Sequence, residues 1–278
     1  MSLSFTKMHG NGNDYIYINC FEETVENPSD LSVRLSDRHF GVGGDGIVLI
    51  MPSEAADVRM RMFNADGSEG KMCGNAIRCV GKYAYERGLC KKGTISVETA
   101  SGIKTLYLTV NNNTVESVRV DMGAPVLEPS KIPVLSDEII DVPVKTEFFD
   151  TPLTCVSMGN PHAVMFTQGI DAFDLEKIGP LYEKNRIFPE GVNTEFVEVI
   201  DDKTLKMRVW ERGSGETLAC GTGACAVVVA AILKGYVKRN RDIRVKLRGG
   251  DLIVRWDDET VWMTGGAAFV YDGRLPTE

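Results

Sequence analysis

Two cysteines in matching contexts are the residues of this chain best suited to chemistry. Cys73 is followed by Gly-Asn and Cys220 by Gly-Thr, 147 positions further on. The same separation relates other identical residues: Met60 and Met207, Arg61 and Arg208, Glu69 and Glu216, Val80 and Val227, Ala84 and Ala231, Gly88 and Gly235. This self-similarity indicates an internal duplication. Two equivalent thiols facing one cleft could remove a proton from one face of a carbon and return one to the other, inverting that carbon.

Each cysteine is predicted to lie at a turn from a strand into a helix. Free backbone amides and the positive end of the helix dipole lie there, so we expect a lowered thiol pKa that favours the thiolate. The amides of 74–75 and 221–222 would form anion sites. Hydrogen-bond donors on a substrate carboxylate would stabilise a carbanion, and one such donor contributes about 3–4 kcal/mol in other enzymes. The pattern therefore favours proton transfer at the α-carbon of an amino acid.

A cysteine is more often a small buried hydrophobe than a nucleophile. We give that interpretation to the other five: Cys20, Cys79, Cys90, Cys155 and Cys225. The matched context favours a catalytic role for Cys73 and Cys220. A metal site is not expected, because no Cys-x-x-Cys occurs and the chain has three histidines. The glycine-rich segment 41–46 lacks a Gly-Lys-Ser/Thr ending and is predicted to be a turn, not a phosphate loop.

The bulk composition indicates a soluble cytoplasmic protein. The 278 residues suffice for two domains, and 43% of them are hydrophobic and 25% charged. The net charge is −8 without a concentrated basic patch, which argues against nucleic acid as a partner. No apolar run reaches the roughly 20 residues of a membrane span, and the start of the chain lacks a secretory apolar core. Seven cysteines without a framework pattern suit a reducing compartment.

Hydrophobic periodicity places the same elements in both copies. Alternating strands over 57–63 and 204–210 lead into the cysteine loops, and helices over 75–87 and 223–234 follow, each stopped by a glycine. The second helix is apolar on nearly all sides and must be enclosed by protein. The sequence therefore predicts an α+β fold of two pseudo-symmetric domains from an internal duplication, each a curved, mostly antiparallel sheet or barrel around a central helix.

A proline-rich segment over 121–133 predicts the domain boundary. We expect an N-terminal repeat domain over 1–120 and a C-terminal repeat domain over 121–261. A similar Met-Gly-containing segment begins at Trp262, after the second copy. We therefore predict that residues 262–278 return to complete the first domain.

Seven motifs in this order resemble the diaminopimelate epimerase family, whose members interconvert LL- and meso-diaminopimelate. They are Lys7–Asp14, Phe63–Glu69, Met72–Asn75, Ser157–His162, Glu211–Glu216, Ala219–Cys225 and Tyr271–Gly273. The resemblance spans the chain from end to end. It implies a two-base thiol/thiolate epimerisation of a small-molecule substrate, without a cofactor, in lysine and peptidoglycan-precursor biosynthesis. It also implies a homodimer.

The resemblance implies a role for each matched residue. Cys73 and Cys220 would be the acid/base pair. The clamp on the reacting carboxylate would be formed by Gly74, Asn75, Gly221 and Thr222. Asn64, Asn193 and Arg212 would recognise the distal amino-acid end. The remaining substrate contacts would come from Asn13, Asn160 and Glu211.

Three further implied features concern the surroundings of this site. His162 and Glu211 would set the proton affinity of the cysteines or hold the substrate ammonium. Tyr271 would lie in a dimer interface. Some family members carry glutamine where this chain has Gly46, so a substrate contact from that side chain is absent here.

Structural explanations stand beside these roles. Asparagine in a Gly-Asn turn can serve left-handed geometry alone, which applies to Asn13 and Asn160, and Asn64 and Asn193 could merely complete a turn or a loop. Adjacent charges such as Glu211 and Arg212 are by default a solvated pair. His162 after a proline could be a satisfied turn histidine.

Two alternative functions remain, and a third class is a non-catalytic binding module. A proline or hydroxyproline racemase shares the two-thiol plan, but those enzymes typically have histidine where this chain has Asn75, and their substrate lacks a distal amino acid. A thiol-redox switch would join Cys73 and Cys220 in a disulfide. A binding module would tolerate Cys73→Ser.

Overall fold

The computed structural model describes residues 3–276 and divides into two compact units. One unit contains the chain up to Val120 and resumes at Thr264, and the other contains Asp121–Met263. The end of the chain therefore belongs to the same unit as its beginning.

Four α-helices and seventeen strands make up the described residues. The helices are α1 (Pro28–Ser36), α2 (Gly74–Glu86), α3 (Leu175–Glu183) and α4 (Gly221–Leu233). The strands of the first half are β1 (Leu3–Gly10), β2 (Asn13–Asn19), β3 (Gly46–Met51), β4 (Val58–Asn64), β5 (Glu69–Gly70), β6 (Thr94–Thr99), β7 (Gly102–Asn111) and β8 (Thr114–Asp121). Those of the second half are β9 (Thr154–Ser157), β10 (Pro161–Phe166), β11 (Asn193–Asp201), β12 (Thr204–Glu211), β13 (Gly215–Thr217), β14 (Ile243–Leu247), β15 (Gly250–Trp256), β16 (Val261–Gly265) and β17 (Ala268–Leu275).

Strand pairing is the same in both units. In the first, β1 pairs antiparallel with β2, β2 parallel with β3, β3 antiparallel with β4, β4 parallel with β6 and β6 antiparallel with β7. In the second, β9, β10, β11, β12, β14 and β15 repeat that series of directions. The register is also repeated, since Ile16 lies opposite Ile47 and Ala163, 147 positions on, lies opposite Thr194. The predicted α+β fold with duplicated, mostly antiparallel sheets is confirmed.

The last strand adds to the first unit. β17 runs antiparallel to β1 from the pair Leu3 and Leu275 to the pair His9 and Ala268. In the same unit the carboxylate of Asp272 accepts hydrogen bonds from Thr6 and Arg87. These contacts attach the end of the chain to its beginning.

The helix that follows each cysteine packs against most strands of the sheet of its unit. α2 contacts β1, β2, β4, β6 and β7, and α4 contacts β9, β10, β11, β12, β14 and β15. Ten of the thirteen residues of α4 are buried, as an all-apolar helix requires. Each helix is followed by a glycine with positive φ, 82° at Gly88 and 76° at Gly235, which confirms the predicted stops. No helix within residues 3–276 combines the length and apolar character needed to cross a membrane.

The sequence pattern does not predict the eight-residue strand β8. β8 buries Val115, Val118 and Val120, whose spacing breaks the alternation typical of a strand. A register shift between Thr109 and Val110 of β7 accommodates the irregular spacing. The sequence pattern hides β8 because Glu116 is an extra residue within the strand, between Val115 and Ser117, and it interrupts the alternation.

Candidate functional site

Cys73 is the residue immediately before helix α2. Its backbone is extended, with φ −131° and ψ 122°, and its carbonyl accepts the first helical hydrogen bond from Ile77 at 2.9 Å. Its thiol donates to Oδ1 of Asn13 at 3.4 Å, and its side chain is only partly buried. Cys73 and Asn13, two residues predicted to lie in the site, therefore touch.

Polar contacts with neighbouring side chains hold Asn13 in place. Its Nδ2 donates to Oδ2 of Asp45 at 2.7 Å. The next residue in the chain, Asp14, forms ion pairs with Lys7 at 2.6 Å and with Arg38 at 2.8 Å. Burial and the charge of Asp14 raise the pKa of Asp45 above its ordinary value. Asn13 is thus held as an acceptor for the thiol by neighbours outside the predicted site.

A buried arginine holds the first turn of α2. Arg78 is fully buried, and its guanidinium donates to the carbonyl of Gly74 at 3.0 Å and to Oδ1 of Asn75 at 3.1 Å. It also reaches Oδ1 of Asn11 at 2.6 Å and the carbonyl of Gly266 at 3.1 Å. The predicted carboxylate clamp of this unit is therefore tied to the β1–β2 turn and to the returning chain. Sequence reasoning missed Arg78, although a charge within the apolar face of a helix was a visible signal.

Cys220 occupies the equivalent position before helix α4. Its Sγ accepts a hydrogen bond from the amide of Gly223 at 3.4 Å and lies 3.4 Å from the hydroxyl of Thr222. The residue is 5% exposed, in contrast with Cys73. Both cysteines begin helices as predicted, but their surroundings differ.

The expectation of a lowered pKa is wrong for Cys220. Burial raises the pKa of this thiol well above its ordinary value, and negative charge on Glu211 or Glu195 would raise it further. Hydrogen bonds from Thr222 and Gly223 act in the opposite direction but do not compensate. Desolvation of a thiolate outweighs the favourable helix terminus here.

His162 belongs to a buried hydrogen-bonded chain. Its Nδ1 lies 2.6 Å from Oε1 of Glu195, and its Nε2 lies 3.0 Å from Oδ1 of Asn160. Both His162 and Glu195 are fully buried. His162 and Asn160, both predicted to belong to the site, are therefore in direct contact. These two contacts of the His162 ring involve neither cysteine. Glu195 was missed in the sequence, where it is a single acid within an apolar strand.

Asn193 and Arg212 are linked through the backbone. The Asn193 amide donates to the carbonyl of Pro161 at 2.8 Å and accepts from the backbone N–H of Arg212 at 2.9 Å. The Arg212 side chain is exposed, and its Nη1 donates to the carbonyl of Glu190 at 2.7 Å. The buried asparagine therefore positions the segment that carries the arginine.

Glu211 and Asn64 occupy equivalent ends of β12 and β4. Glu211 accepts a hydrogen bond from the hydroxyl of Thr217 at 2.5 Å. Asn64 donates to the hydroxyl of Ser68 at 2.9 Å and lies opposite Gly46 in the β3–β4 ladder. The two copies therefore differ in chemistry at this position, with an asparagine in one and a glutamate in the other.

Gly46 has a backbone reason for being glycine. Its φ is +154°, and a Cβ built on it would lie 2.0 Å from the carbonyl oxygen of Phe63. No side chain fits there without a change in the β3–β4 pairing. The local backbone conformation of this chain therefore requires glycine at the position where some family members have glutamine.

The remaining cysteines and Tyr271 lie outside these clusters. Cys79, Cys155 and Cys225 are fully buried, and burial raises the pKa of Cys79 to about 11 and that of Cys155 to about 12. Tyr271 is 45% exposed on β17, with its ring edge-on to Phe5. Within residues 3–276, no three His, Cys, Asp or Glu side chains are grouped as metal ligands.

Comparison with known proteins gives one consistent family. The model of the family described as diaminopimelate epimerase matches residues 5–128 and 154–270. A diaminopimelate epimerase of Acetivibrio thermocellus is 60% identical over 277 residues, with 98% of each chain covered. One of Methanococcus maripaludis strain C5 is 56% identical, covering 98% of this chain and 99% of that protein.

A solved structure of a hydroxyproline epimerase from Agrobacterium vitis has the same fold. Its TM-score is 0.73 at 14% identity, with 99% of this chain and 92% of that chain covered. At that identity the likeness concerns the fold alone.

Proposed function

Because this chain belongs to the diaminopimelate epimerase family, we propose that it interconverts LL- and meso-diaminopimelate by inverting one α-carbon without a cofactor. The observation that carries the proposal is the pair of matched Cys-Gly helix starts within a chain that matches this family over nearly its whole length. Inversion requires a base on one face of the carbon and an acid on the other, and the duplication supplies two thiols in equivalent positions.

Cys73 and Cys220 are the proposed base and acid. In one direction a thiolate removes the α-proton, and the thiol of the other cysteine delivers a proton to the opposite face. The reverse reaction exchanges the roles. The partial exposure of Cys73 and the burial of Cys220 make Cys220 the better candidate for the resting thiol.

The backbone amides after each cysteine are proposed to bind the reacting carboxylate. Gly74 and Asn75 begin α2, and Gly221 and Thr222 begin α4. Amides at helix starts bind anions, and they stabilise charge that develops when the α-proton leaves.

The distal amino-acid end is proposed to bind Asn64, Asn193 and Arg212. A guanidinium binds a carboxylate through two parallel hydrogen bonds, and the exposed Arg212 side chain is suited to this. Asn193 contributes through its bond to the Arg212 backbone. Glu211 is proposed to hold the substrate ammonium, and Asn13 and Asn160 to contact the substrate from the Gly-Asn turns.

A proline or hydroxyproline racemase activity is less well supported. The solved hydroxyproline epimerase shares the fold at 14% identity, whereas the diaminopimelate epimerases are 60% and 56% identical. Asn75 replaces the histidine typical of the racemases. A proline substrate would also leave Arg212 without a carboxylate to bind.

Alanine variants of the two cysteines test the mechanism. We expect Cys73→Ala and Cys220→Ala each to abolish epimerisation, measured as conversion of LL-diaminopimelate to the meso form by chiral chromatography. Cys90→Ala is the matched control, since Cys90 lies beyond the end of α2 and should leave activity unchanged. Epimerisation that survives either catalytic substitution would exclude two-base catalysis.

Deuterium exchange tests the substrate and the absence of a cofactor. In D2O we expect deuterium at the α-carbon of diaminopimelate without added pyridoxal phosphate, and no exchange into L-proline run in parallel. Exchange into proline alone would establish the racemase alternative, and exchange that required added cofactor would refute the proposed chemistry.

We further propose a cytoplasmic homodimer with Tyr271 in its interface. Val270 and Tyr271 are 54% and 45% exposed on β17, which is unusual for neighbouring apolar side chains. Light scattering should give the mass of a dimer, and Tyr271→Ala should shift it toward the 30.6 kDa monomer. A monomeric wild-type chain would refute this assignment.

A further inference from the structure

A buried acid and a buried histidine are in hydrogen-bond contact in the second unit. Glu195 of β11 and His162 of β10 are fully buried, and Oε1 and Nδ1 are 2.6 Å apart. Nε2 of His162 faces Oδ1 of Asn160, an amide oxygen that can only accept, so Nε2 carries a hydrogen. The short contact at Nδ1 then requires one proton between Nδ1 and Oε1. The pair has no net charge whichever atom holds that proton.

The surroundings favour the proton on Glu195. Its other oxygen, Oε2, is buried and makes no hydrogen bond with the residues that the structure describes. An unpartnered oxygen costs less in a neutral acid than in a carboxylate. Burial raises the pKa of Glu195 above its ordinary value, and the charge of Glu211 adds to this, while His162 acts in the opposite direction.

The acid lies against the start of α4. A Cβ on Gly223 would be 2.7 Å from Oε1 of Glu195 and 3.3 Å from Sγ of Cys220. The bare glycine therefore leaves room for the acid and the thiol on the same side of the first helical turn. A carboxylate here would raise the pKa of Cys220, as Glu195 and Glu211 both do when charged.

The titratable groups around Glu195 come from four other elements or turns. Cys155 lies on β9, His162 on β10, Glu211 on β12 and Cys220 before α4. His162 is the only one of these that can become a cation. The first unit has no such pair, because Tyr15, Val48 and Ala76 stand 147 positions before His162, Glu195 and Gly223.

We propose that Glu195 is a positioning residue of this enzyme. As a neutral acid it donates a hydrogen bond to Nδ1 of His162, and Nε2 of His162 donates to the amide oxygen of Asn160 and so holds that side chain. The neutral acid also places no negative charge near Cys220. Asn160 then directs its NH2 group away from His162 as a fixed donor. The proton stays within the pair during turnover, and no atom of Glu195 contacts substrate. The catalytic part of this inference rests on the proposed function.

Nuclear magnetic resonance of imidazole nitrogen tests the proton count directly. With three histidines in the chain, the nitrogen-15 spectrum is simple, and His162→Gln identifies the relevant signals. We expect the neutral form at pH 7, with one protonated and one bare nitrogen. Two protonated nitrogens would overturn the proposal. This result does not depend on which substrate the enzyme uses.

Two substitutions of Glu195 test its role. Glu195→Gln keeps a donor for Nδ1, so we expect kcat within about threefold of wild type. Glu195→Ala removes the donor, and misplacement of Asn160 should lower kcat by about tenfold or more. Equal losses in both variants would overturn the proposal. Failure of the two-base mechanism would be detected separately, as activity that survives Cys220→Ala.

The pH dependence of alkylation at Cys220 supplies a readout that a purely structural role would not predict. If Glu195 is already neutral, Glu195→Gln should leave the pH midpoint of Cys220 alkylation by iodoacetamide unchanged. Glu211→Gln serves as the positive control and should lower that midpoint, since Glu211 raises the pKa of Cys220. A fall in the midpoint with Glu195→Gln would show a charged Glu195 and refute the proposal.

Discussion

Arg208 holds Glu216 through two parallel hydrogen bonds, from Nε to Oε1 at 2.8 Å and from Nη2 to Oε2 at 2.9 Å. The pair joins β12 to β13, the short strand just before Cys220. It recurs 147 positions earlier as Arg61 and Glu69, with distances of 2.7 and 2.9 Å. The duplicated pairs thus fix the hairpins that deliver each cysteine to its helix.

Loss of the charge on Glu216 should destabilise the protein more than loss of the charge on Glu69. The side chains of Arg208 and Glu216 are 11% and 13% exposed, against 32% and 42% for Arg61 and Glu69. We expect Glu216→Gln to lower the free energy of unfolding at pH 7 by about 1–3 kcal/mol. The exposed counterpart, Glu69→Gln, should cost less than about 1 kcal/mol.

The effect of Glu216→Gln should disappear in acid. Burial raises the pKa of Glu216, but hydrogen bonds from Arg208 and Arg248 outweigh it and hold the pKa below the ordinary 4.5. A depressed folded pKa stabilises above the unfolded value and loses that contribution as the pH falls through the folded one. Urea midpoints of both variants and wild type, compared at pH 7 and below pH 4, check this. Equal losses of stability in Glu216→Gln and Glu69→Gln at pH 7 would contradict the larger contribution of the buried pair.

Native alkylation should distinguish the two catalytic candidates. Cys73 is partly exposed, whereas Cys220 is 5% exposed and its pKa is raised by burial and by Glu211. Because the thiolate is the reacting species, iodoacetamide at pH 7–8 should modify Cys73 well before Cys220. Timed quenching and peptide mass spectrometry give the two rates.

Cys155 is the internal control for that experiment. It is fully buried with its pKa raised to about 12, so it should stay unmodified in the folded protein and react in urea. Faster modification of Cys220 than of Cys73 would contradict the inequality of the two thiols.

Local sequence signals were sufficient for the duplicated fold. The 147-residue repeat, the glycine stops at Gly88 and Gly235, and the apolar helix α4 predict the architecture because each can be recognised in the sequence alone. The position of both cysteines before a helix followed from the same signals. Their unequal burial did not, because burial depends on packing between distant segments.

The missed residues share a physical reason. Glu195 and Arg78 are ionisable residues within apolar elements, and their partners are 33 and 67 positions away, at His162 and Asn11. A single sequence shows the anomaly but not the partner that resolves it. Buried ionisable residues of this kind are therefore better signals for a site than the pattern of a strand or helix.

A side chain at Gly46 should disrupt the β3–β4 ladder. A Cβ there would approach the carbonyl oxygen of Phe63 to 2.0 Å, at a φ of +154°. We expect Gly46→Ala to lower the free energy of unfolding by at least about 3 kcal/mol. Gly88→Ala is the matched control, since Gly88 has φ +82° with open space around it and should cost only about 1 kcal/mol. Equal urea midpoints for the two variants would contradict the clash.

Removing the charge of Glu211 should make Cys220 more reactive while lowering turnover. Glu211 raises the pKa of Cys220, so Glu211→Gln should lower that pKa and increase the rate of Cys220 alkylation at neutral pH without substrate. Turnover should fall in the same variant, because Glu211 is also the proposed partner of the substrate ammonium. Thr217→Val is the control: it removes the 2.5 Å hydrogen bond to Glu211 but keeps its charge, so alkylation of Cys220 should not accelerate. An unchanged alkylation rate in Glu211→Gln would show that Glu211 does not act on the thiol and serves the substrate alone.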